Sequence, residues 1–126
     1  MATVSYTDYP ESVAGGAVRR VVWSDLHNGD DGQWYVLTGA KYPIKSVQVY
    51  GTFGTGGTLV IEGSNQADTF DKYVTLVDSF NTALSFTAAG LKQINQNSFA
   101  LRPRVTGGDG TTSLTVIVCM RREFTQ

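Results

Sequence analysis

Residues 98–121 constrain this chain more than any other stretch. Apolar and polar side chains alternate there, a glycine-rich turn interrupts them, and the alternation resumes. In the first arm Phe99, Leu101, Pro103 and Val105 share one face, while Ala100, Arg102 and Arg104 share the other. Beyond Gly107-Gly108-Asp109-Gly110, the residues Leu114, Val116, Val118 and Met120 repeat the pattern. Successive side chains of an extended chain point to opposite faces, so period-2 alternation on both sides of a glycine-bearing loop predicts an antiparallel hairpin. Its apolar face is expected at the centre of the core. Its other face, carrying Arg102, Arg104, Ile117 and Cys119, is too apolar for free solvation and is expected to be covered.

The rest of the chain reads the same way. Residues 17–25 and Gln33 to Thr38 are expected strands, separated by an Asn28–Gly32 loop whose Asn, Asp and Gly tolerate positive φ. Pro43 precedes a third strand, with Val47, Val49 and Phe53 on one face and Ser46, Gln48, Tyr50 and Thr52 on the other. Gly54-Thr55-Gly56-Gly57 closes it, and Thr58 to Ser64 follows with Leu59 and Ile61 inward. Shorter strands are expected at Lys72 to Val77, Ala83 to Thr87 and Leu91 to Ile94. Residues 87–92 form the one stretch that could make a helical turn. With 126 residues there is room for one core. The expectation is an all-β, antiparallel β-sandwich of about eight strands, jelly-roll type, over residues 17–126. Residues 1–16, poor in core side chains and ending in Ala14-Gly15-Gly16, read as an extended N-terminal arm.

Charge and composition exclude whole classes of partner. A formal net charge of −1 makes no electrostatic case for nucleic acid or an acidic membrane. No apolar stretch approaches the ~20 residues of a membrane span. Met1–Tyr6 has neither the basic region nor the apolar run of a signal peptide. The single cysteine cannot form an internal disulfide, which fits a protein made and kept in a reducing cytoplasm or assembled there into something larger.

Candidate chemistry is sparse. Asp25, His27, Asp30 and Asp31 cluster in one loop, but their spacing is not that of an EF-hand, and a solvated turn with Asx-type hydrogen bonds is the better reading. His27 is the only histidine, so a zinc site would need carboxylates or a second subunit. Cys119, between Val118 and Met120, reads as a covered and inert thiol. No cofactor or metal is expected, and no catalytic group. Arg19-Arg20, Arg102 and Arg104 could pair bidentately with carboxylates, either across an interface or within the sheet. Trp23, Trp34 and Tyr35 could form a sugar-stacking platform if exposed, although packing is the commoner role.

Three segments carry a resemblance. Thr58-Leu-Val-Ile-Glu-Gly-Ser-Asn-Gln66, Leu84-Ser-Phe-Thr-Ala-Ala-Gly-Leu91 and Leu101-Arg-Pro-Arg-Val-Thr-Gly-Gly-Asp109 resemble small virion structural proteins of tailed bacteriophages. The same half is similar in pattern to discoidin-type, galactose-binding-like jelly rolls, without that family's calcium- and sugar-binding residues. The phage resemblance implies a non-enzymatic capsid decoration (cement) protein, bound to the major capsid protein on the outside of the head, homotrimeric, and therefore located in the virion. It also makes residues 1–16 a strap contacting the capsid or a neighbouring protomer, with Tyr6, Tyr9, Pro10, Arg19, Arg20, Arg102 and Arg104 as expected interface residues. A carbohydrate-binding or host-recognition module of a fibre or tail, and a head-completion or tail protein, are the alternatives.

Overall fold

Strands with one apolar face need an opposing layer, and the computed structural model, which describes residues 2–10, 18–37, 44–66 and 68–122, supplies it as two sheets. The strands are β1 (Thr3–Val4), β2 (Tyr6–Pro10), β3 (Val18–Leu26), β4 (Asp31–Gly32), β5 (Tyr35–Val36) and β6 (Ile44–Thr52). They continue with β7 (Thr58–Ser64), β8 (Val74–Thr75), β9 (Ser85–Phe86), β10 (Gly90–Ile94), β11 (Ala100–Thr106) and β12 (Ser113–Arg121). One sheet has seven strands, ordered β1-β4-β11-β7-β8 with β5 also on β11 and β9 also on β7; the other has five, ordered β10-β6-β12-β3-β2. From β3 onward the chain winds back and forth between the layers, and the β-sandwich expected from the sequence is the fold observed. Residues 87–92 are not a helical turn: Thr87 and Ala88 form a bend and Gly90–Ile94 is β10, while Asp31–Gly32, expected in a loop, form β4.

The expected hairpin is not one. β11 lies antiparallel to β7 in the seven-stranded sheet, whereas β12 lies between β3 and β6 in the five-stranded sheet. Residues 107–112 therefore carry the chain across the core, from one layer to the other. The alternation of apolar residues is the same whether two arms pair edge to edge or stack face to face, so the sequence pattern cannot separate these cases. Stacking is what occurs: Leu101 and Val105 on one layer and Leu114, Val116, Val118 and Met120 on the other are all buried in a single core with Val21, Trp23, Leu59 and Ile61. The two outward faces consequently part company. Arg102 and Arg104 lie on the seven-stranded sheet, Ile117 and Cys119 on the five-stranded one. Phe99, expected inward, is 40 % exposed; the inward alternation starts at Leu101, and Ala100 is buried between Val36 and Ser64 of the adjacent strands.

The crossing is fastened by Asp109. Its carboxylate accepts the Thr55 N–H (2.9 Å), the Thr111 N–H (2.9 Å) and the Thr111 hydroxyl (2.6 Å), while Thr112 Oγ1 donates to the Phe53 carbonyl (2.9 Å). The β6–β7 turn and the β11–β12 crossing are thus tied together at one end of the sandwich. Gly107 has φ 70°, and a Cβ there would sit 2.5 Å from the Gly56 carbonyl oxygen, so only glycine fits that contact.

Two local devices shape the core. Thr115 of β12 lies opposite two residues of β3, because Leu114 pairs with Leu26 while Val116 pairs with Trp23. This bulge, with Asp25 at φ 58°, lets Trp23 and Leu26 both point inward although they are three residues apart. The second device is Pro103 inside β11. Val105 donates to the Asp30 carbonyl, so Pro103, two residues earlier, turns its nitrogen to the same side, between β4 and β5 where no ladder donor is needed. Gly32 packs against that ring: a Cβ there would lie 2.5 Å from Pro103 Cδ and 2.8 Å from Trp23 Cδ1.

Residues 3–10 of the expected arm are extended, and their extension is used inside the fold. β1 pairs parallel with β4, and β2 pairs antiparallel with β3 as an edge of the five-stranded sheet. Met1 and residues 11–16 of that arm, Ala17 of the expected first strand, Thr38 and Pro43 lie outside the described residues.

Two outcomes follow from this packing. Gly32→Ala should destabilise the protein by about 2 kcal/mol, read from urea midpoints, because the methyl group has no space beside Pro103 and Trp23. Hydrogen bonds from the Thr111 hydroxyl, then from the Thr55 and Thr111 N–H groups, hold the Asp109 carboxyl well below the usual carboxylate range. A depressed folded pKa gives stability that is present above the unfolded value of about 3.9 and lost as pH falls below it. Asp109→Asn should therefore lower the denaturation midpoint at pH 7, and its difference from the wild type should shrink steadily below about pH 4.

Candidate functional site: an arginine–aromatic face and its cleft

The outward residues of β11, β7 and β4 meet on the seven-stranded sheet. Arg102 is opposite Glu62, and Arg104 is opposite Asp31 and Val60. Arg102 Nε donates to Glu62 Oε1 (3.0 Å) and its Nη1 to Asp31 Oδ2 (3.2 Å); its side chain is only 12 % exposed. Arg104 Nε lies 3.1 Å from Glu62 Oε2, close enough for charge attraction but without hydrogen-bond alignment. Glu62, 2 % exposed, thus sits between two guanidinium groups. A buried carboxylate is tolerated only with such compensation.

Aromatic rings cover this network. The Arg102 guanidinium is 4.7 Å from the Trp34 ring centre and 4.9 Å from that of Tyr73, so it is enclosed by two π faces. Phe70 stacks on Trp34 at 5.0 Å with an interplanar angle of 19°. Tyr73 also forms one wall of a cleft of about 530 Å³, whose other walls come from β7, β8 and the β10–β11 connection. Behind it lies Lys45, 1 % exposed, whose ammonium donates to Asn97 Oδ1 on the cleft rim. Burial pushes the Lys45 pKa down.

The residues singled out from sequence fall into four groups. Arg102 and Arg104 pair within their own sheet, the second of the two readings. Around β2 and β3, Arg19 forms a two-pronged ion pair with Asp8 (2.9 and 2.8 Å), and Arg20 lies 5.0 Å over the ring of Tyr9, which is 43 % exposed. Tyr6 packs edge-on against Trp23 and Tyr35, at 5.9 and 5.2 Å. Pro10 is opposite Arg19 in the strand pair, and its side chain lies outside the described residues. No platform forms from Trp23, Trp34 and Tyr35: Trp23 is fully buried, with Nε1 donating to the Gln33 carbonyl, and Tyr35 is buried beside it. In the acidic loop, Asp30 accepts the Ala2 and His27 N–H groups, and Asp31 belongs to Arg102. Among the described residues no three His, Cys, Asp or Glu side chains are grouped to hold a metal.

Sequence reading missed Glu62, Lys45, Phe70, Tyr73 and the cleft amides. One signal was available: Lys45 has the parity of Val47 and Val49, so a lysine stands where the strand demands an inward side chain. The pairing of Glu62 with residues 40 positions away had no local signature.

No protein-family model matches the sequence, and no curated protein matches it. Among solved structures, the chain is similar to the SPBc2 prophage-derived protein YomS, with a TM-score of 0.59 and 11 % identity, covering 82 % of this chain and 93 % of that one. It also aligns with the Schizosaccharomyces pombe Cnp3 cupin domain (TM-score 0.46, 7 % identity, 94 % of this chain and 60 % of that chain). A third match is a carbohydrate binding module, CBM6cm-2, from Cellvibrio mixtus lichenase 5A (TM-score 0.30, 12 % identity, 95 % and 88 %). At an identity of 11 %, the likeness to YomS is one of fold, and the class it defines is an all-β, two-sheet sandwich.

Removing Arg102 would leave Glu62 buried beside a single misaligned partner. Arg102→Ala should therefore cost about 3 kcal/mol in urea unfolding, whereas Arg104→Ala, at the more exposed edge, should cost about 1 kcal/mol or less.

Proposed function

We propose that this chain is a non-enzymatic structural protein of a tailed-phage virion, and that within the particle it decorates the outside of the head. The observation that carries the first step is the shared fold with a prophage-derived protein over most of both chains. The second step rests on the resemblance of the C-terminal half to virion proteins and on the surface of the five-stranded sheet. Leu91, Gln48, Ile117, Val22 and Thr7 form a row across all five of its strands, flanked by Ser46 and Cys119 and by Tyr50. That row has no charged residue, and Leu91 and Tyr50 are 66 % and 44 % exposed. A sheet face with an uncharged central row, bordered by Arg20 and Arg121, can bury area on a capsid lattice, which suits a cement protein that acts by binding the assembled shell more tightly than its free subunits. The major capsid protein is the proposed partner, with a homotrimer as the bound form.

Imaging particles with and without this protein tests the assignment. A uniform set of knobs lost from the head supports it, and loss of one tail or connector structure places the protein elsewhere. Leu91→Asp, at an exposed position, should keep the thermal midpoint while weakening binding to undecorated heads at least tenfold; unchanged binding would remove the five-stranded face from the proposal.

A further inference from the structure

The cleft beside Tyr73 is unused by the virion reading, and none of its lining residues lies in the five-stranded sheet. Its chemistry comes from three amides. Asn65 Oδ1 accepts the Phe99 N–H (2.9 Å), Gln96 Oε1 accepts the Val77 N–H (2.8 Å), and Asn97 Oδ1 accepts the buried Lys45 ammonium. Backbone N–H and ammonium groups only donate, so the carbonyl end of each amide is fixed toward the protein. Each NH2 group is then the end turned away from that partner, and Asn65, Gln96 and Asn97 all line the cleft. The cleft thus holds three oriented donors.

It also holds one acceptor. Asp71 Oδ1 takes hydrogen bonds from Gln66 Nε2 (2.8 Å) and Thr69 Oγ1 (3.0 Å), which fix the carboxylate and keep its pKa below the usual range. Lys72 Nζ stands 3.7 Å from Asp71 Oδ2, so the lining is close to neutral. Tyr73 and Val74, 40 % and 61 % exposed, add an apolar wall.

We infer that this cleft binds an uncharged saccharide unit through the Asn65, Gln96 and Asn97 amides and the Asp71 carboxylate. Sugar hydroxyls accept and donate at once, so they satisfy amide donors and a carboxylate acceptor in the same site, while the C–H face of the ring covers Tyr73 and Val74. An apolar ligand would bury three NH2 groups without partners. An anionic ligand would face Asp71. The volume, about 530 Å³, falls within the roughly 300–1,000 Å³ range of small-ligand sites. The inference does not depend on where the protein sits in a virion, and failure of head binding would leave it standing.

The side-chain NH2 groups themselves report the outcome. Maltotriose, chitotriose and lactose are titrated to roughly 10 mM, where a ligand of millimolar affinity saturates, and followed by proton–nitrogen correlation spectra of the whole chain. At least one sugar should shift the Asn65, Gln96 and Asn97 amide signals saturably. Gln96→Glu keeps the acceptor for Val77 and loses the donor, so it should weaken that binding about tenfold with an unchanged thermal midpoint. No saturable shift with any of the three sugars overturns the inference, as does wild-type affinity in Gln96→Glu. Tighter binding of galacturonate or inorganic phosphate than of the neutral sugars would make it an anion site and overturn the ligand class.

Discussion

Every long strand of this protein is apolar on one side, and the face-to-face burial of two such sheets is the constraint from which the remaining structure follows. Val21, Trp23, Val47, Val49, Val116 and Val118 from one sheet meet Leu59, Ile61, Leu101 and Val105 from the other, all at or near zero exposure. At about 25 cal/mol per Å² of apolar surface removed from water, this is the dominant favourable term for a chain without disulfides. The irregular features serve that burial. The bulge at Asp25 resets the phase of β3, Gly32 clears space for Trp23 and Pro103, and Asp109 fastens the crossing between layers.

Once the inner faces are committed to the core, the outer faces take opposite characters. The seven-stranded sheet is charged and aromatic, with Glu62 buried between Arg102 and Arg104 and Trp34 and Tyr73 closing over them. That face satisfies itself, which makes it a poor docking surface. The five-stranded sheet has no such network across its central row, and Leu91, Ile117 and Val22 remain partly open to water. The asymmetry gives the two proposals separate places: a macromolecular partner on the uncharged central row of the five-stranded sheet, and a small polar ligand in the cleft at the edge of the other.

Much of the fold was legible, because period-2 alternation is a local property. β3, β6, β7, β11 and β12 all fall where apolar residues alternate, and Leu59, Ile61, Val116 and Val118 face inward as expected. The site was far less legible. Arg102 could be singled out as an outward arginine, but its partners Glu62 and Asp31 lie 40 and 71 positions away and become neighbours only through strand register. The cleft amides of Asn65, Gln96 and Asn97 come from connections, where no periodicity marks them.

The sequence by itself determined that this chain is a β-sandwich, and which residues of each long strand enter the core, since alternation follows from the geometry of one extended strand. Tertiary structure alone decided which strands are neighbours. Residues 98–121 show why: two alternating arms around a glycine loop satisfy the same pattern as a hairpin or as opposite walls of a sandwich. The choice between them is made by the partners each arm finds, β7 for β11 and β3 with β6 for β12. That choice separated Arg102 and Arg104 from Ile117 and Cys119, leaving one outer face closed by its own charges and the other open.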